Sequence, residues 1–466
     1  MATPPPGSRP LWILAALLSL AAALAGSWAL PLQEQAKTLE EAAQRPSPSA
    51  TPSQISLEEV SPAPLREQAL AEDLDQILAE LETEALSAQV QDLESGQIIY
   101  QKNPQTQRVP ASNLKMLVDY ALLATAPQAR LSTSVRITDD SRLVLVAGGD
   151  TLLVPGPSNP EAVMGHAGLE TLAQETLAAL KEQGLGQQEF VLDLDTSRFA
   201  GSSLNPLWAQ EDIDSGFIAP VTPLAFYSHY SPDGQGQASQ DRPKDAPGQV
   251  QESLIASLNR LGAAEGLSFR AGEKLSSPSQ GRQLAAVYSA TLAQQSALMM
   301  QESDNSLAEA LGRNLSVLRG GDGSSQGAVE AIRQTLTQAG LAADYRQVDI
   351  SGLSMENQLT TGLLLELASR SLAGSAQEQL ALDGWPLAGY SGTLGLASRF
   401  NDEDELAGRG LVRAKTGTLN SVVSLTGYAV TSSGRPLVFS VLVNDVADTA
   451  AAKDGLDRWA ARLTQD

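Results

Sequence analysis

Hydrophobic residues recur along the chain at spacings that predict a helix and then a hairpin. A stripe with helical spacing comes first and is formed by Leu70, Leu74, Ile77, Leu78 and Leu81. Residues 90–93 and 97–100 then predict two strands, and Glu94-Ser95-Gly96 between them predicts a tight turn. Glycine suits such a turn because it adopts a positive φ at little steric cost.

Further along, a mixed pattern gives way to a mostly helical one. Between about residues 135 and 285, short strand-like runs alternate with a helical stretch, at 135–137, 143–146, 167–183 (the helix) and 190–192. Beyond residue 286 helices predominate, and the chain then closes with two predicted strands and a helix, at 421–430, 436–444 and 449–464.

These elements predict an α/β (α+β) fold. Strand signals near both ends, with helices between them, indicate one domain whose sheet draws on both ends of the chain. This domain would comprise residues 67–134 and 286–466, and residues 135–285 would form an inserted mixed α/β domain.

The first 66 residues predict export. Residues 11–30 are apolar and follow a single basic side chain, Arg9, so the segment could span the roughly 30 Å of a bilayer core. Ala23-Leu24-Ala25 resembles a cleavage site, although the length of the run favours an uncleaved anchor. Residues 31–66 are rich in Pro and Ser, which indicates a disordered linker. We therefore expect an extracytoplasmic protein tethered to the cell membrane.

Composition narrows the possible chemistry. The 466 residues include no Cys and two His, and 54 acidic against 31 basic side chains give a net charge of −23. A thiol nucleophile, a disulfide framework and Cys-type metal sites are excluded, and nucleic acid is not an expected partner. His166 and His229 have no second ligand at metal spacing, so no metal or cofactor is expected. A catalytic base should be a carboxylate or a lysine.

Ser112-Asn113-Leu114-Lys115 opens an apolar segment that runs to about Ala126. Residues three apart on a helix lie on the same face, so the hydroxyl and the amine should be neighbours. A desolvated lysine can take the proton of such a hydroxyl. A capping serine followed by an exposed lysine is the alternative.

Ser303-Asp304-Asn305 lies between two predicted helical segments, 286–300 and 306–318. A hydroxyl and an amide two residues apart in a loop can point into one cavity, where one relays protons and the other holds a substrate amide. By itself the motif is more typical of a helix N-cap, because Ser, Asp and Asn are the preferred capping residues.

Lys415-Thr416-Gly417-Thr418 precedes the strand-like run 422–428. Such a strand edge can bind a carboxylate, let a substrate backbone approach at the glycine, and donate a backbone N–H to an oxyanion. A basic edge strand with a turn glycine is the alternative. The order S-x-x-K, S-D-N, K-T-G favours the functional interpretation, since penicillin-binding proteins and class A β-lactamases share it.

A second serine motif is discounted. Residues 323–327 satisfy G-x-S-x-G with Ser325 at its centre. A nucleophile elbow needs a preceding strand and a histidine after the serine, whereas here a helix precedes and both histidines lie upstream. We expect a Gly-rich loop.

The chain resembles the D-alanyl-D-alanine carboxypeptidase/endopeptidase family, the class C low-molecular-mass penicillin-binding proteins of peptidase family S13. The likeness covers roughly residues 70–465 and rests on segments 110–115, 148–152, 194–199, 351–354, 392–395 and 415–419. It implies a β-lactamase/transpeptidase-like domain with an insertion between S-x-x-K and S-D-N. It also implies action on peptidoglycan stem peptides ending in D-Ala-D-Ala, with β-lactams as inhibitors.

The resemblance implies roles for the three motifs. Ser112 would be the acylated nucleophile and Lys115 its general base. Ser303 and Asn305 would relay protons and hold the peptide.

The K-T-G strand would bind the end of the substrate. Lys415 with Thr416 would bind the terminal carboxylate, and Gly417 would lie against the substrate backbone. The backbone N–H groups of Thr418 and Ser112 would form the oxyanion hole.

Three further positions concern the details of the site. Met355 stands where the family usually has Arg, which affects the expected preference for the third residue of the stem peptide. Residues 116–120 are bulkier than is usual there, so altered packing is expected. Asp195 would bind the amine of that third residue, or else would be a structural turn aspartate.

The sequence leaves two other functions open. A serine β-lactamase needs a group that activates the deacylating water, usually a Glu in an E-x-x-L-N-like segment, and no such segment lies between the motifs. A catalytically silent penicillin-binding wall protein is disfavoured because all the catalytic side chains are present.

Overall fold

A computed structural model describes residues 67–186, 188–341 and 344–465, so the predicted export segment and linker lie outside the described residues. The strands are β1 (Leu86–Asp92), β2 (Ile98–Lys102), β3 (Arg130–Ile137), β4 (Leu143–Val146), β5 (Glu189–Asp195), β6 (Ser268–Leu275), β7 (Arg282–Thr291), β8 (Val412–Leu419), β9 (Val422–Val430) and β10 (Pro436–Asn444). The helices are α1 (Glu67–Ala79), α2 (Lys115–Thr125), α3 (Leu169–Glu182), α4 (Gln210–Asp214), α5 (Ala246–Gly262), α6 (Leu292–Glu302), α7 (Asn305–Leu318), α8 (Ser325–Gln338), α9 (Thr361–Ala373) and α10 (Thr449–Arg462).

The first sheet has the order β2-β1-β10-β9-β8, and all its neighbouring strands are antiparallel. The predicted hairpin forms β1 and β2, and Gly96 in its turn has a φ of 72°. Strand β1 pairs with β10, with Ser87 opposite Leu442. The expectation that one sheet draws on both ends of the chain is therefore confirmed.

Alternation along β10 places apolar side chains on both faces of this sheet. Leu437, Phe439, Val441 and Val443 pack in one core with α1 and α10, whereas Val438 and Leu442 pack in another core with α2 and α9. A strand covered on both faces reads as a continuous apolar run, which is why this one could be recognised in the sequence.

The second sheet has the order β6-β5-β4-β3-β7. Strands β4, β5 and β6 are parallel, and β3 pairs antiparallel with both β4 and β7. Helices α3 and α5 share its hydrophobic core. The sheet runs from Arg130 to Thr291, so the predicted insertion boundaries fall inside β3 and β7, and the extent of an inserted domain stays a prediction.

One prediction of secondary structure was wrong. The alanine-rich stretch from residue 286 was expected to be helical, but it belongs to β7, and α6 begins only at Leu292. Ala285, Val287 and Ser289 are buried, while Tyr288 is 51% exposed, which is the alternation of a strand. The true helix start is marked by Thr291, whose side chain forms a capping box with Gln294.

Helix α2 is buried along most of its length, and the bulky residues noted in its sequence fill the core between α6, α7 and α8. Asp119, in the middle of this helix, is acidic but only 4% exposed. Its carboxylate accepts a 2.6 Å hydrogen bond from Ser296 Oγ on α6. Burial raises the pKa of Asp119 to about 7.

Within residues 67–465 as described, none of the helices combines the length and the apolar character that crossing a bilayer requires.

Candidate active site

Ser112 lies in a short 3₁₀ turn, Ala111–Leu114, that leads directly into α2. This geometry places the Ser112 hydroxyl and the Lys115 amine on the same side of the helical turn, as the sequence predicted. Lys115 is completely buried, and its Nζ donates to Ser112 Oγ at 2.9 Å, to Asn305 Oδ1 at 2.7 Å and to the Ser351 carbonyl at 2.6 Å. The amine is thus held beside the hydroxyl by two further acceptors.

Two opposing influences set the charge of Lys115. Burial disfavours the ammonium form and lowers the pKa of Lys115 to about 8. The negative charges of Asp349, Asp304 and Glu309 partly oppose this effect. The result is an amine that changes its protonation state close to neutral pH.

The S-D-N segment both caps a helix and contributes to the site. Ser303 ends α6 in a left-handed conformation, with a φ of 55°. Asp304 is the N-cap of α7 and accepts the Leu307 N–H at 2.9 Å. Asn305 directs its Oδ1 to Lys115, so the two interpretations of this motif are combined rather than exclusive.

The K-T-G motif lies on β8, an edge strand of the first sheet. Lys415 is completely buried, and its Nζ donates to Ser303 Oγ at 2.8 Å and to the Thr416 carbonyl at 2.7 Å. Burial, with the nearby charges of Lys115 and Arg399, holds the pKa of Lys415 well below its usual range. The three motifs therefore form one hydrogen-bonded cluster.

Gly417 lets β8 approach the turn that carries the serine. A Cβ at this position would lie 2.2 Å from Ser424 Oγ and 2.9 Å from the Pro110 carbonyl. Ser424, on β9, accepts from Asn113 Nδ2 at 2.5 Å and donates to the Pro110 carbonyl at 2.8 Å. These contacts fix the 3₁₀ turn against the sheet.

A cleft of about 270 Å³ opens beside the cluster, and residues from several elements line it, among them Ser112, Asn305, Phe217, Leu353, Met355 and Thr418. Met355 is 49% exposed there. The position at which the sequence departs from the family's arginine thus borders the same cleft as the serine.

Sequence reasoning missed several groups that support the cluster. The Ser351 carbonyl accepts a hydrogen bond from Lys115. The loop that carries Ser351 is held by the buried carboxylates of Glu309 and Asp349, which accept its backbone N–H groups. On the other side of the cluster, Thr393 Oγ1 lies 2.8 Å from Thr416 Oγ1. The similarity of segments 351–354 and 392–395 to the family was the available signal, but it did not identify these contacts.

Asp195 lies at the end of β5 and is not among the cleft residues. Its carboxylate accepts from Ser197 N at 3.0 Å, from Ser197 Oγ at 2.6 Å and from Ser279 N at 2.7 Å. These are the contacts of a turn aspartate, and a role in substrate binding stays a prediction.

The two histidines occupy different surroundings. His229 is completely buried, accepts the Thr222 N–H at 3.0 Å through Nε2, and has its pKa lowered to about 3 by burial and nearby Arg242. His166 contacts Arg130 and the Ala162 carbonyl. Among the residues with described coordinates, no group of three His, Asp or Glu side chains could hold a metal ion.

The G-x-S-x-G segment begins a helix rather than following a strand. Ser324 is the N-cap of α8 and accepts the Gly327 N–H at 2.9 Å, and Ser325 is the first residue of that helix. The element before it is α7. The segment lacks the strand–turn–helix context of a nucleophile elbow.

Comparison with known proteins agrees with the motifs. The model of the D-Ala-D-Ala carboxypeptidase 3 (S13) family matches residues 67–257 and 251–463. A carboxypeptidase of Mycobacterium tuberculosis is 33% identical over 388 residues, which cover 81% of this chain and 80% of that protein. Carboxypeptidase DacB of Mycolicibacterium smegmatis is 31% identical over 460 residues, covering 96% and 95% of the two chains.

The fold is shared with a solved structure. Penicillin-binding protein 4 of Haemophilus influenzae superposes with a TM-score of 0.66 at 20% identity, covering 84% of this chain and 98% of that one. The same protein has also been solved with a β-lactam, with a TM-score of 0.62. The predicted β-lactamase/transpeptidase-like α/β fold is thereby confirmed. The chain belongs to the D-Ala-D-Ala carboxypeptidase 3 (S13) family and is a serine-type D-Ala-D-Ala carboxypeptidase of the class C low-molecular-mass penicillin-binding proteins.

Proposed function

We propose that Ser112 is the acylated nucleophile of this carboxypeptidase and that Lys115 is its general base. The observation that carries the assignment is the 2.9 Å contact between Lys115 Nζ and Ser112 Oγ. Burial lowers the pKa of Lys115 to about 8, so a useful fraction of the amine is neutral near pH 7 and can accept the hydroxyl proton.

In the proposed acylation, Ser112 Oγ forms a bond to the carbonyl carbon of the penultimate D-Ala, and its proton passes to Lys115 Nζ. The bond to the terminal D-Ala then breaks, and the departing amine receives, through Ser303, the proton that Lys115 took from Ser112, which restores the neutral lysine. Asn305 holds the peptide during this step. Water hydrolyses the ester, which restores Ser112 and releases a stem peptide shortened by one residue.

Recognition of the substrate's end is assigned to β8. Lys415 and Thr416 bind the terminal carboxylate, whose negative charge favours the ammonium form of Lys415 that burial beside Lys115 disfavours. The backbone N–H groups of Ser112 and Thr418 face the developing oxyanion. Gly417 leaves room for the substrate backbone.

The substrates are peptidoglycan stem peptides ending in D-Ala-D-Ala, and β-lactams acylate the same serine. The family and the curated carboxypeptidases support the first statement. The similar Haemophilus influenzae protein, which was solved with a β-lactam, supports the second.

The test combines covalent labelling with product release. The purified protein is incubated with a fluorescent penicillin, and separately with a D-Ala-D-Ala peptide whose released D-Ala is measured. Stable labelling together with D-Ala release is expected. Rapid loss of the label would indicate a β-lactamase, and stable labelling without D-Ala release would indicate a silent penicillin-binding protein.

Two serine variants test the nucleophile. Ser112→Ala is expected to abolish both labelling and D-Ala release. Ser325→Ala is the matched control, because this serine also belongs to a nucleophile-like motif but begins α8. Labelling of the Ser112→Ala protein would show that the assignment is wrong.

We also propose that the protein acts outside the cytoplasm and is tethered by residues 11–30. The apolar run after Arg9 and the location of peptidoglycan outside the cytoplasmic membrane support this. Mass spectrometry of the protein from purified membranes should find residues 1–30 intact. In a second experiment, protease added to whole spheroplasts should digest the catalytic part of the protein. Protection from the protease would contradict the proposal.

A further inference from the structure

Two buried carboxylates hold the loop behind the catalytic pair. Glu309, on α7, is completely buried, and its Oε1 accepts the backbone N–H groups of Ile350 and Ser351, each at 2.9 Å. Asp349 is also completely buried and accepts four hydrogen bonds of 2.8–3.0 Å, from Gly352 N, Ser354 N, Asn357 Nδ2 and Trp208 Nε1. Four of the five backbone N–H groups of residues 350–354 are therefore directed at one of two carboxylates.

The loop held in this way touches the catalytic pair. The Ser351 carbonyl accepts from Lys115 Nζ at 2.6 Å, the shortest of the three hydrogen bonds of that amine. Gly352 has a φ of 80° and lies so close to the 3₁₀ turn that a Cβ would be 2.0 Å from the Ala111 carbonyl oxygen. A displacement of the loop would consequently move both the acceptor of Lys115 and the wall behind Ser112.

The same carboxylates belong to the electrostatic environment of the amine. The charged groups that act on Lys115 are Asp349, Asp304 and Glu309, which favour the ammonium form, and Lys415, which is close enough for the two lysines to repel each other. Burial and the charge of Asp349 raise the pKa of Glu309 to about 7. At pH 8, where Lys115 is half-protonated, most Glu309 carboxyl groups are therefore negatively charged.

We propose that Glu309 and Asp349 are positioning residues for acylation, which hold the Ser351 carbonyl against Lys115 Nζ so that the amine stays aimed at the Ser112 hydroxyl. Neither carboxylate lines the cleft. They act through the loop and through their charge, and the inference rests on the proposed role of Lys115 as the base.

Glutamine at position 309 separates geometry from charge. Its amide oxygen can accept the two backbone N–H groups that Glu309 Oε1 now accepts, while the negative charge is lost. Glu309→Ala removes both. Asp150→Asn is the matched control, because Asp150 is 1% exposed but is not among the charges that act on Lys115.

The measurement is the rate of acylation by a fluorescent penicillin between pH 6 and pH 10, with the melting temperature recorded at each pH. The wild-type rate should rise with a midpoint near pH 8. Glu309→Gln should move that midpoint down by about one unit, because Lys115 loses a nearby negative charge. Glu309→Ala should lower the rate at every pH by about tenfold or more, because the orientation of the amine is lost. Asp150→Asn should leave the midpoint unchanged.

The outcomes separate this inference from the proposed function. A wild-type profile without a midpoint near pH 8 would overturn Lys115 as the base, and the positioning role with it. A normal wild-type midpoint with a Glu309→Ala acylation rate within about twofold of the wild-type rate would overturn the positioning role alone. A midpoint that Glu309→Gln leaves unmoved, or that Asp150→Asn moves equally, would overturn the effect of the Glu309 charge on Lys115. If Glu309→Ala does not fold, Glu309→Leu replaces it in this comparison, because leucine fills much of the same space but cannot accept the two N–H groups of the loop.

Discussion

The buried carboxyl group of Asp119 predicts an unusual dependence of stability on pH. This side chain is on α2 and is buried in the hydrophobic core, where Ser296 Oγ donates a hydrogen bond to its carboxylate. Asp119→Asn keeps the shape and an acceptor for that hydroxyl but cannot ionise. The variant should therefore become more stable than the parent as the pH rises.

The magnitude follows from the two pKa values. The pKa of Asp119 is about 7 in the folded chain, against an ordinary value of 3.8. Between these values the folded chain binds a proton that the unfolded chain does not, so stability falls with increasing pH by about 1.4 kcal/mol per unit. The contribution of the neutral carboxyl is fully present below the unfolded value and is lost as the pH passes about 7. From pH 5 to pH 7 the parent should lose roughly 2–3 kcal/mol relative to Asp119→Asn.

Urea titrations of both proteins at pH 5, 7 and 8 measure this difference in the free energy of unfolding. The control is Asp454→Asn, which makes the same chemical change at an exposed position of α10. The gap between Asp119→Asn and the parent should grow from pH 5 to pH 7 and then change little. A gap that stays constant, or that shrinks as the pH rises, would refute the reasoning.

Three further predictions concern the site and its support. The acylation rate should rise about tenfold from pH 7 to pH 9, because the neutral fraction of Lys115 grows from about one-tenth to about nine-tenths. Rates of labelling by a fluorescent penicillin across this range measure the rise. Gly417→Ala should slow penicillin acylation at least about tenfold, because the new Cβ would lie 2.2 Å from Ser424 Oγ; an unchanged rate would contradict the close approach. Asp457→Ala should lower the free energy of unfolding by about 3–5 kcal/mol, because it leaves Arg399 buried without its 2.6 Å partner. Urea denaturation measures this loss of stability. A variant in which apolar side chains replace both Arg399 and Asp457 should lose less.

The parts of the fold and site that the sequence predicted depend on local spacing. Ser112 and Lys115 are three residues apart on a helical turn, and Gly96 supplies the positive φ of a hairpin, so both features are visible within a few residues. The apolar run of β10 was equally clear, because the strand is buried on both faces. The resemblance to a known family then joined motifs that are far apart in the chain.

The missed parts depend on distant partners or on ambiguous composition. The contact between Lys115 and Ser351 joins residues 236 positions apart, and its acceptor is a backbone carbonyl, which no side-chain pattern marks. Glu309 lies in the predicted helix 306–318, and nothing in the sequence around it marks a side chain that is completely buried. The alanine-rich part of β7 has a high helix propensity, which the pairing with β3 overrides.

The pairing of β1 with β10 affects the order in which the molecule can be completed. Ser112 and Lys115 are synthesised early, but the strands that support them come last: Ser424 lies 311 residues after its partner Asn113, and Asn444 lies 335 residues after its partner Val109. Closing loops of this length makes folding slow, and β1 has an unpaired edge until β10 arrives. A growing chain therefore has its nucleophile long before it has a working site. Covalent labelling by a penicillin should accordingly count finished molecules and pass over nascent ones.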